Sequence, residues 1–389
     1  MSKLDFYRNL SDKIVSELED KLPVVLWPLL LLLLIFTCAL VLLYSASGCS
    51  MYPWAMKQLT FISIFSLLAL LIRSINIMWF YDHAYTLYAL CIMILIFTNI
   101  FGHNVMGAQR WIDLKYFSMQ PSELAKVGVI LALSKYFNDF SNSDGRIVSR
   151  LLFPIIISLL PFFLILFQPN LGTATILLFI CAALFFINGI KKVFFLVPIL
   201  IVLASSPFIW RYALHDYQKR RVITFLNPEK DILDSGYNIV QSKIAIGSGG
   251  IWGKGMCGGS QSRLNFLPEK HNDFIFTLLA EEYGLVGCIF VLFIYFLWIA
   301  YSYGVSNYSS LYFGKMVSVG FASMIFIHVF INVGMVSGIL PVVGVPFPIL
   351  SYGGSNAAST LLMFGIVLSV QKSESKRRFK KYIQSDTKN

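Results

Sequence analysis

Apolar stretches long enough to cross a lipid bilayer recur along the whole sequence, and they limit the fold more than any other feature. A helix needs about 20 apolar residues to span the hydrocarbon core. Of the 389 residues, 57% are hydrophobic and 13% are charged, whereas soluble domains are typically about 45–50% apolar and about 25% charged. The chain is therefore predicted to be an all-α polytopic membrane protein. Its ten predicted spans are 24–46, 56–73, 84–101, 121–138, 151–167, 171–189, 193–210, 273–302, 313–338 and 355–371.

The positions of Lys and Arg predict which side of the membrane each loop faces. They are concentrated in one alternate set of loops and near both ends of the chain. Because cytoplasmic loops carry the excess of basic residues, we expect a cytoplasmic segment at residues 1–23, a membrane domain at 24–371 and a basic cytoplasmic tail at 372–389. The net charge of +11 follows from this bias and from the tail, which suits anionic lipid head groups and not nucleic acid.

The longest predicted loop, residues 211–272, lies on the outer side and is rich in glycine and charge. Its segment GSGGIWGKGMCGGS (247–260) contains a GxGxxG pattern. That pattern indicates a nucleotide site only between a strand and a helix, so no organic cofactor is expected. Two interpretations of the glycine run stay open. It is either a flexible loop or a backbone that closely approaches a bulky ligand, with Lys254 next to an anionic group.

The six cysteines predict neither a metal site nor a disulfide framework. Four of them lie in predicted spans, where Cys behaves as a small hydrophobic residue. Cys49 and Cys257 lie in predicted loops and could pair, although the favoured interpretation leaves them unpaired. No CxxC motif or His/Cys cluster has the spacing of metal ligands, so the sequence assigns no residue to a metal.

Three acidic residues lie at the start of the eighth span or inside it, where charge is costly. Asp273 begins the span at the membrane–water boundary, where partial burial can raise the pKa of a carboxylate towards that of a useful base. Compensation of the helix dipole is the alternative. Glu281 lies about 12 Å deeper and roughly 80° around the helix, so it is placed to line a cavity below Asp273. Glu282 lies on the opposite face and is expected to pair with a neighbouring helix.

Glu123 and Lys126 are charged residues three positions apart at the outer end of the fourth span. This spacing puts them on one face of the helix. Charges inside a span usually face a cavity or a partner. A purely structural ion pair and a pair that lines a cavity both fit, and the cavity is favoured.

Residues 339–354, ILPVVGVPFPILSYGG, form a segment without charge on the outer side. An apolar loop of this kind is either a docking surface for a partner or a re-entrant segment buried in the bundle. Ser351, Gly353 and Gly354 are small enough for close backbone packing, which favours the buried interpretation.

Together these groups suit the transfer of a sugar from a lipid diphosphate. The diphosphate leaves without protonation when cations such as Arg110, Lys126 and Lys254 balance its charge, and a single base takes the proton of the acceptor hydroxyl. A divalent cation, Mg²⁺ or Mn²⁺, is a candidate to share that charge. Hydrolysis of a glycoside would instead need two carboxylates. A transporter fits the same composition, but its charges are expected nearer the bilayer midplane.

Long blocks of the sequence resemble the SEDS family (shape, elongation, division and sporulation), and most of all its elongation branch, RodA. The similar blocks are GAQRWIDL, QPSELAK, QPNLGTA, QSKIAIGSGGIWGKG, FLPEKHNDFIFTLLAEEYG and GMVSGILPVVGVPFPILSYGGS. The resemblance implies a fold similar to GT-C-like lipid-dependent glycosyltransferases. It also implies a peptidoglycan glycosyltransferase of the cytoplasmic membrane that polymerises lipid II, beside a class B penicillin-binding transpeptidase of the cell-elongation machinery. A lipid flippase and a non-catalytic scaffold are the alternatives.

The resemblance also assigns roles to particular residues. It implies that Asp273 is the catalytic carboxylate, that Trp111 is functionally sensitive and that Glu123 and Lys126 line the central cavity. Asn272 departs from the family pattern, in which Thr is usual. The full set of residues expected at the substrate is Arg110, Trp111, Glu123, Lys126, Lys254, Gln261, His271 and Glu281.

Overall fold

The computed structural model describes residues 26–386, apart from 106–107, 114–117, 141–146, 214–215, 227–234, 264–265 and 268. The predicted segment 1–23 lies outside the described residues. Every predicted span coincides with a helix. These helices are α1 (Leu26–Ala46), α2 (Trp54–Ser74), α3 (Ile77–Phe101), α4 (Pro121–Phe140), α5 (Ile147–Phe167), α6 (Leu171–Ile187), α7 (Val193–Phe208), α11 (Ile275–Tyr308), α12 (Tyr312–Val336) and α13 (Gly354–Asp386).

The apolar helices make the chain a multi-pass membrane protein. Six of them, α1 to α3 and α11 to α13, are long and apolar enough to cross a membrane. α5, α6 and α7 contain shorter apolar stretches, and α7 continues into a π-helical turn, Ile209–Ala213. α4 is the most polar of the nine predicted spans that precede α13, because it carries Glu123 and Lys126, yet most of its residues are buried by the surrounding helices.

A small antiparallel sheet replaces the loop that was predicted between α3 and α4. Its strands are β1 (His103–Val105), β2 (Ala108–Asp113) and β3 (Ser118–Met119), in the order β1-β2-β3. β1 and β2 pair His103 with Trp111, and β2 and β3 pair Ile112 with Met119. The all-α prediction is therefore confirmed, and this short connection adds a small sheet to the helical bundle.

The prediction that residues 211–272 form a single long loop is wrong, because much of this region is helical. It contains α8 (Asp216–Leu226), α9 (Ser235–Gly249) and α10 (Ser260–Arg263). α9 packs against α11 and buries Ile239 and Ala245. Its buried Ser242 hydroxyl lies 2.7 Å from the Thr277 hydroxyl of α11 and donates to the Val336 carbonyl of α12. α9 is thus packed onto the bundle.

α11 is interrupted at Gly284 (φ 62°, ψ −160°), and the glycine segment lies against this break. The N–H groups of Lys254 and Gly255 donate to the carbonyls of Glu281 and Glu282, at 3.1 and 2.9 Å. A Cβ atom at Gly253 would lie 2.2 Å from the Glu282 carbonyl oxygen. The glycines therefore allow the backbone to approach α11 closely, which contradicts the interpretation as a flexible loop; the approach of a bulky ligand stays a prediction.

Cys49 and Cys257 form a disulfide bond, which corrects the expectation that they stay unpaired. The bond joins the α1–α2 connection to the glycine segment across 208 residues of sequence. Disulfides persist in oxidising compartments and are rare in the cytosol. The end of the bundle that carries this bond is thus expected to face away from the cytoplasm.

The second half of the segment 339–353 is buried in the bundle, as the favoured interpretation predicts, whereas Ile339 at its start is 71% exposed. Phe347, Ile349 and Leu350 are fully buried, and Val345 is 1% exposed. The Gln58 side chain donates to the carbonyls of Ile349 and Ser351 and accepts from the Gly353 N–H, so it satisfies non-helical backbone inside the protein. We call residues 339–353 the re-entrant segment.

Candidate active site

Asp273 lies in the turn that leads into α11. The turn forms because Glu269 closes it: its carbonyl accepts from the N–H groups of Asn272 and Phe274, and its carboxylate accepts from the Asn272 amide at 2.8 Å. Asp273 itself is half-buried, and its carboxylate faces Gly344 of the re-entrant segment, where an added Cβ would lie 3.3 Å from Oδ2. The carboxylate is therefore held beside the backbone of this segment, at the end of the membrane helix.

The surroundings of Asp273 give it the acid strength of a general base. Burial raises the pKa of Asp273 to about 6, the negative charge of Glu269 adds to the rise, and the positive charge of Arg221 opposes it. A carboxylate with a pKa near the working pH is suited to accept a proton in a transition state. Arg221 belongs to α8 and was not among the predicted site residues, because the sequence shows a basic cluster at 219–221 but not which member acts on the pKa of Asp273.

His271 lies two residues before Asp273 in a cluster of aromatic rings. Its ring stacks on Trp54, with centroids 3.9 Å apart, and Trp54 also meets Tyr352 edge-on at 4.8 Å. Burial lowers the pKa of His271, so its ring is neutral in this cluster at neutral pH. The structure thus places His271 in a cluster with Trp54 and Tyr352, which sequence reasoning missed, and its contact with the substrate stays a prediction.

Glu123 and Lys126 form a buried ion pair with further partners on other helices. Their charged atoms are 2.7 Å apart, and Lys126 Nζ lies 2.6 Å from Nε2 of His328 on α12. Ser359 of α13 donates to the second Glu123 oxygen at 2.8 Å. The two residues are 3% and 0% exposed, so the pair joins three helices inside the bundle. His328 was missed by sequence reasoning, since a single His in an apolar helix gives no signal of its partner.

Three of the residues predicted to contact the substrate lie close together at the glycine segment: Lys254, Glu281 and Gln261. Lys254 Nζ lies 3.0 Å from Glu281 Oε1, and the Gln261 N–H donates to the same oxygen at 2.8 Å. The prediction that Glu281 lines a cavity below Asp273 is therefore not supported: its carboxylate anchors this segment. Glu282 accepts from the hydroxyl of Ser45 on α1 and from the Cys257 N–H, which confirms its predicted pairing with a neighbouring helix.

Arg110 and Trp111 lie in β2, at the same end of the bundle. The Arg110 guanidinium donates to the backbone carbonyls of Gln168, at 3.0 Å, and Pro169. Trp111 is half-buried opposite His103. These contacts tie the sheet to the connection between α5 and α6.

The described residues do not offer a donor set for a resident metal ion. Among them, no group of three or more His, Cys, Asp or Glu residues is placed to hold one. Among the described residues, the candidate site is therefore the Asp273 carboxylate of raised pKa, with Glu269 and Arg221 acting on that pKa, beside the re-entrant segment.

Comparisons with known proteins show the family to which the chain is similar. Residues 22–376 match the family model FTSW_RODA_SPOVE, described as cell cycle protein. Over 284 residues the chain is 42% identical to the peptidoglycan glycosyltransferase MrdB of Escherichia coli (strain K12), which covers 73% of this chain and 76% of that protein.

Two solved structures share the fold. One chain comes from work described as "Structural coordination of polymerization and crosslinking by a peptidoglycan synthase complex"; it has a TM-score of 0.77 and 29% identity, over 89% of this chain and 97% of that one. The other is the crystal structure of the rod shape determining protein RodA of Thermus thermophilus. It has a TM-score of 0.69 and 26% identity, over 91% of this chain and 99% of that one.

Proposed function

Because the chain belongs to the FtsW/RodA/SpoVE family of cell cycle proteins, we propose that Asp273 is the base with which it works as a peptidoglycan glycosyltransferase. The observation that carries this role is the half-buried carboxylate of Asp273, with a pKa of about 6, at the start of a membrane helix. A lipid-linked sugar at the membrane surface can reach that position from the side.

The reaction needs one proton acceptor and one stabilised leaving group. The substrate is lipid II, a disaccharide-pentapeptide on undecaprenyl diphosphate. Asp273 takes the proton of the acceptor sugar's 4-hydroxyl while that oxygen bonds to the anomeric carbon of the donor. The bond from this carbon to the diphosphate breaks, and undecaprenyl diphosphate leaves with the electron pair. Fixed positive charge stabilises the leaving group without protonating it.

Arg221 is added to the candidate cations for the diphosphate. Of the three cations predicted, Lys126 and Lys254 are paired with carboxylates, and Arg110 binds backbone carbonyls. The positive charge of Arg221 lowers the pKa of Asp273, so Arg221 is a further candidate. A divalent cation, Mg²⁺ or Mn²⁺, is proposed to enter with the donor, since Mg²⁺ commonly takes most of its ligands from substrate phosphates and water.

Two observations support an outer location for the Asp273 end, with both termini in the cytoplasm. Basic residues are concentrated in the loops at the opposite end and in the tail. The Cys49–Cys257 disulfide lies at the Asp273 end, as expected for an oxidising compartment. The alternative of a transporter depended on Glu281, and that residue is engaged with Lys254.

A class B penicillin-binding transpeptidase is the proposed partner. Support comes from the similar chain whose structure is described as a complex that coordinates polymerization and crosslinking. Val345 is buried, so a substitution such as Val345→Glu tests folding of the re-entrant segment and does not report on partner docking.

Purified protein in liposomes, with fluorescent lipid II and with or without the transpeptidase, tests the function directly. We expect glycan polymer, more of it with the partner, and less of it in EDTA until Mg²⁺ is added back. Movement of lipid II across the bilayer without polymer would identify a transporter. Full polymerisation in EDTA would assign the diphosphate charge to side chains alone.

The rate of polymerisation is expected to rise with pH through about pH 6, because Asp273 accepts a proton only when ionised. Glu269→Gln removes the negative charge that raises this pKa but keeps an oxygen for the Asn272 amide, so the midpoint should move to lower pH. Arg221→Met should move it to higher pH. The measurement is initial rate against pH for the three proteins. Equal midpoints would show that Asp273 does not set this limb.

A further inference from the structure

Three consecutive backbone carbonyls in the Asp273 turn are each bound by a donor from elsewhere in the chain. The His271 carbonyl accepts from the Tyr352 N–H at 2.9 Å. The Asn272 carbonyl accepts from the Ser351 hydroxyl at 2.6 Å. The Asp273 carbonyl accepts from the side-chain amide of Asn332 at 2.9 Å. The turn is thus fixed at every residue from 271 to 273.

α11 does not supply these bonds itself. At the start of the helix, the N–H groups of Thr277 and Leu278 both donate to the Phe274 carbonyl. A buried carbonyl without a donor is costly, so the turn depends on donors outside its own helix. Two of the three donors are side chains and can be removed by substitution.

Both side chains also hold the re-entrant segment, the other wall of the site. The Asn332 amide donates its second hydrogen to the Val345 carbonyl at 2.7 Å. The Ser351 hydroxyl accepts from the Phe347 N–H at 2.8 Å. Each side chain therefore bridges the Asp273 turn and the segment that contains Gly344. They are 0% and 1% exposed, so water does not replace these bonds.

His328 extends this connection to the buried ion pair. It lies four residues before Asn332 on α12, with Nδ1 3.3 Å from the Pro346 carbonyl and Nε2 2.6 Å from Lys126. α12 thus contacts two successive residues of the re-entrant segment, Val345 and Pro346. The side chains that hold the segment take no chemical part in the proposed reaction.

We propose that Ser351 and Asn332 are positioning residues that set the place of the Asp273 carboxylate by clamping its turn to the re-entrant segment and α12. This inference rests on the proposed role of Asp273 as the base. A general base works only within hydrogen-bond reach of the proton it takes, and a misplacement of about 1 Å can cost about 100-fold in rate. A flexible turn would leave the carboxylate present but badly placed.

The test compares Ser351→Ala and Asn332→Ala with Asn138→Ala. Asn138 is a matched control, because its side chain accepts from the Phe313 N–H of α12 at 3.1 Å, at the other end of the bundle. We expect kcat for lipid II polymerisation to fall about 10- to 100-fold in the two site variants, with KM nearly unchanged. The midpoint of the acid limb, where the polymerisation rate rises with pH, should move below pH 6. The reason is that a looser turn hydrates Asp273, whose pKa then falls towards the usual value of about 3.9. Asn138→Ala should leave kcat and this limb unchanged.

A double-mutant cycle with Asp273→Asn separates this inference from the proposed function. If the two side chains act through Asp273, their removal should hardly lower the residual rate of Asp273→Asn further. If the substitutions lower the polymerisation rate by the same factor in the unmodified protein and in Asp273→Asn, the two side chains have a merely structural role. The same holds if the rate falls only in proportion to the folded fraction. Near-normal activity of Asp273→Asn would instead overturn the function of Asp273. Ser351→Ala removes only a hydroxyl and completes the test if Asn332→Ala does not fold.

Discussion

Asp273→Asn is expected to lower glycan synthesis by about 10²- to 10⁴-fold, the usual contribution of a general acid–base group. Asn keeps the size of the side chain and leaves the three backbone carbonyl contacts of the turn in place. What it removes is the ability to accept a proton at neutral pH. The measurement is initial polymerisation rate with purified protein and labelled lipid II.

The control for this substitution is Asp82→Asn, near the start of α3 and far along that helix from the sheet that follows it. Thermal stability and co-purification with the transpeptidase should match the unmodified protein in both variants. A near-normal rate in Asp273→Asn would reject the assignment. A loss of rate together with a loss of folding would fail to separate chemistry from stability, and in that case Asp273→Glu, which keeps a base, should retain more activity than Asp273→Asn.

The membrane helices could be predicted from sequence because their cause is local. A chain inside lipid must satisfy its backbone hydrogen bonds within the same segment, so an apolar stretch of sufficient length becomes a helix whatever its neighbours are. α4 follows the same rule although it carries Glu123 and Lys126, since both are satisfied inside the bundle. The boundaries also agree to within a few residues, except that α3 begins at Ile77, α11 ends at Tyr308 and α13 continues through the predicted tail to Asp386.

The region before α11 could not be predicted because its structure depends on distant residues. α9 has the sequence SGYNIVQSKIAIGSG. Its glycines and polar residues do not predict a helix, and the helix depends on α11 covering one of its faces. The glycine segment needs the break at Gly284 as its partner, and Cys257 needs Cys49, 208 residues away. No local sequence pattern predicts any of these contacts.

The candidate site divides in the same way. Asp273 was found because an acidic residue at the start of an apolar span is conspicuous, and its position there indicates a function. Asn332, Ser351 and His328 are polar residues whose importance comes only from the carbonyls and the ammonium group that the fold brings to them. Lys254 and Glu281 were conspicuous too, yet their charges neutralise each other, which the spacing in sequence does not reveal.

Lys126→Met is expected to cost about 3–5 kcal/mol of stability, because it leaves the Glu123 carboxylate buried without its cation. Ser359 would remain as a hydrogen-bond donor to Glu123, but a hydroxyl does not neutralise the charge. The double variant Glu123→Gln/Lys126→Met removes both charges and should be more stable than either single variant. The charge-swapped double variant Glu123→Lys/Lys126→Glu should also be more stable than either single variant, because His328 can donate to a carboxylate at position 126.

Lys135→Met on the same helix is the matched control for this last comparison. Lys135 lies over the rings of Tyr81 and Tyr85 at 4.8 and 5.0 Å, a contact worth only about 0.5–1 kcal/mol at an exposed site. Thermal unfolding in detergent should therefore rank the variants, with Lys126→Met lowest and Lys135→Met close to the unmodified protein. If Lys126→Met were as stable as Lys135→Met, Glu123 would have to be satisfied without Lys126. Because His328 also contacts the Pro346 carbonyl, loss of Lys126 should loosen the re-entrant segment and lower polymerisation even in the fraction that stays folded.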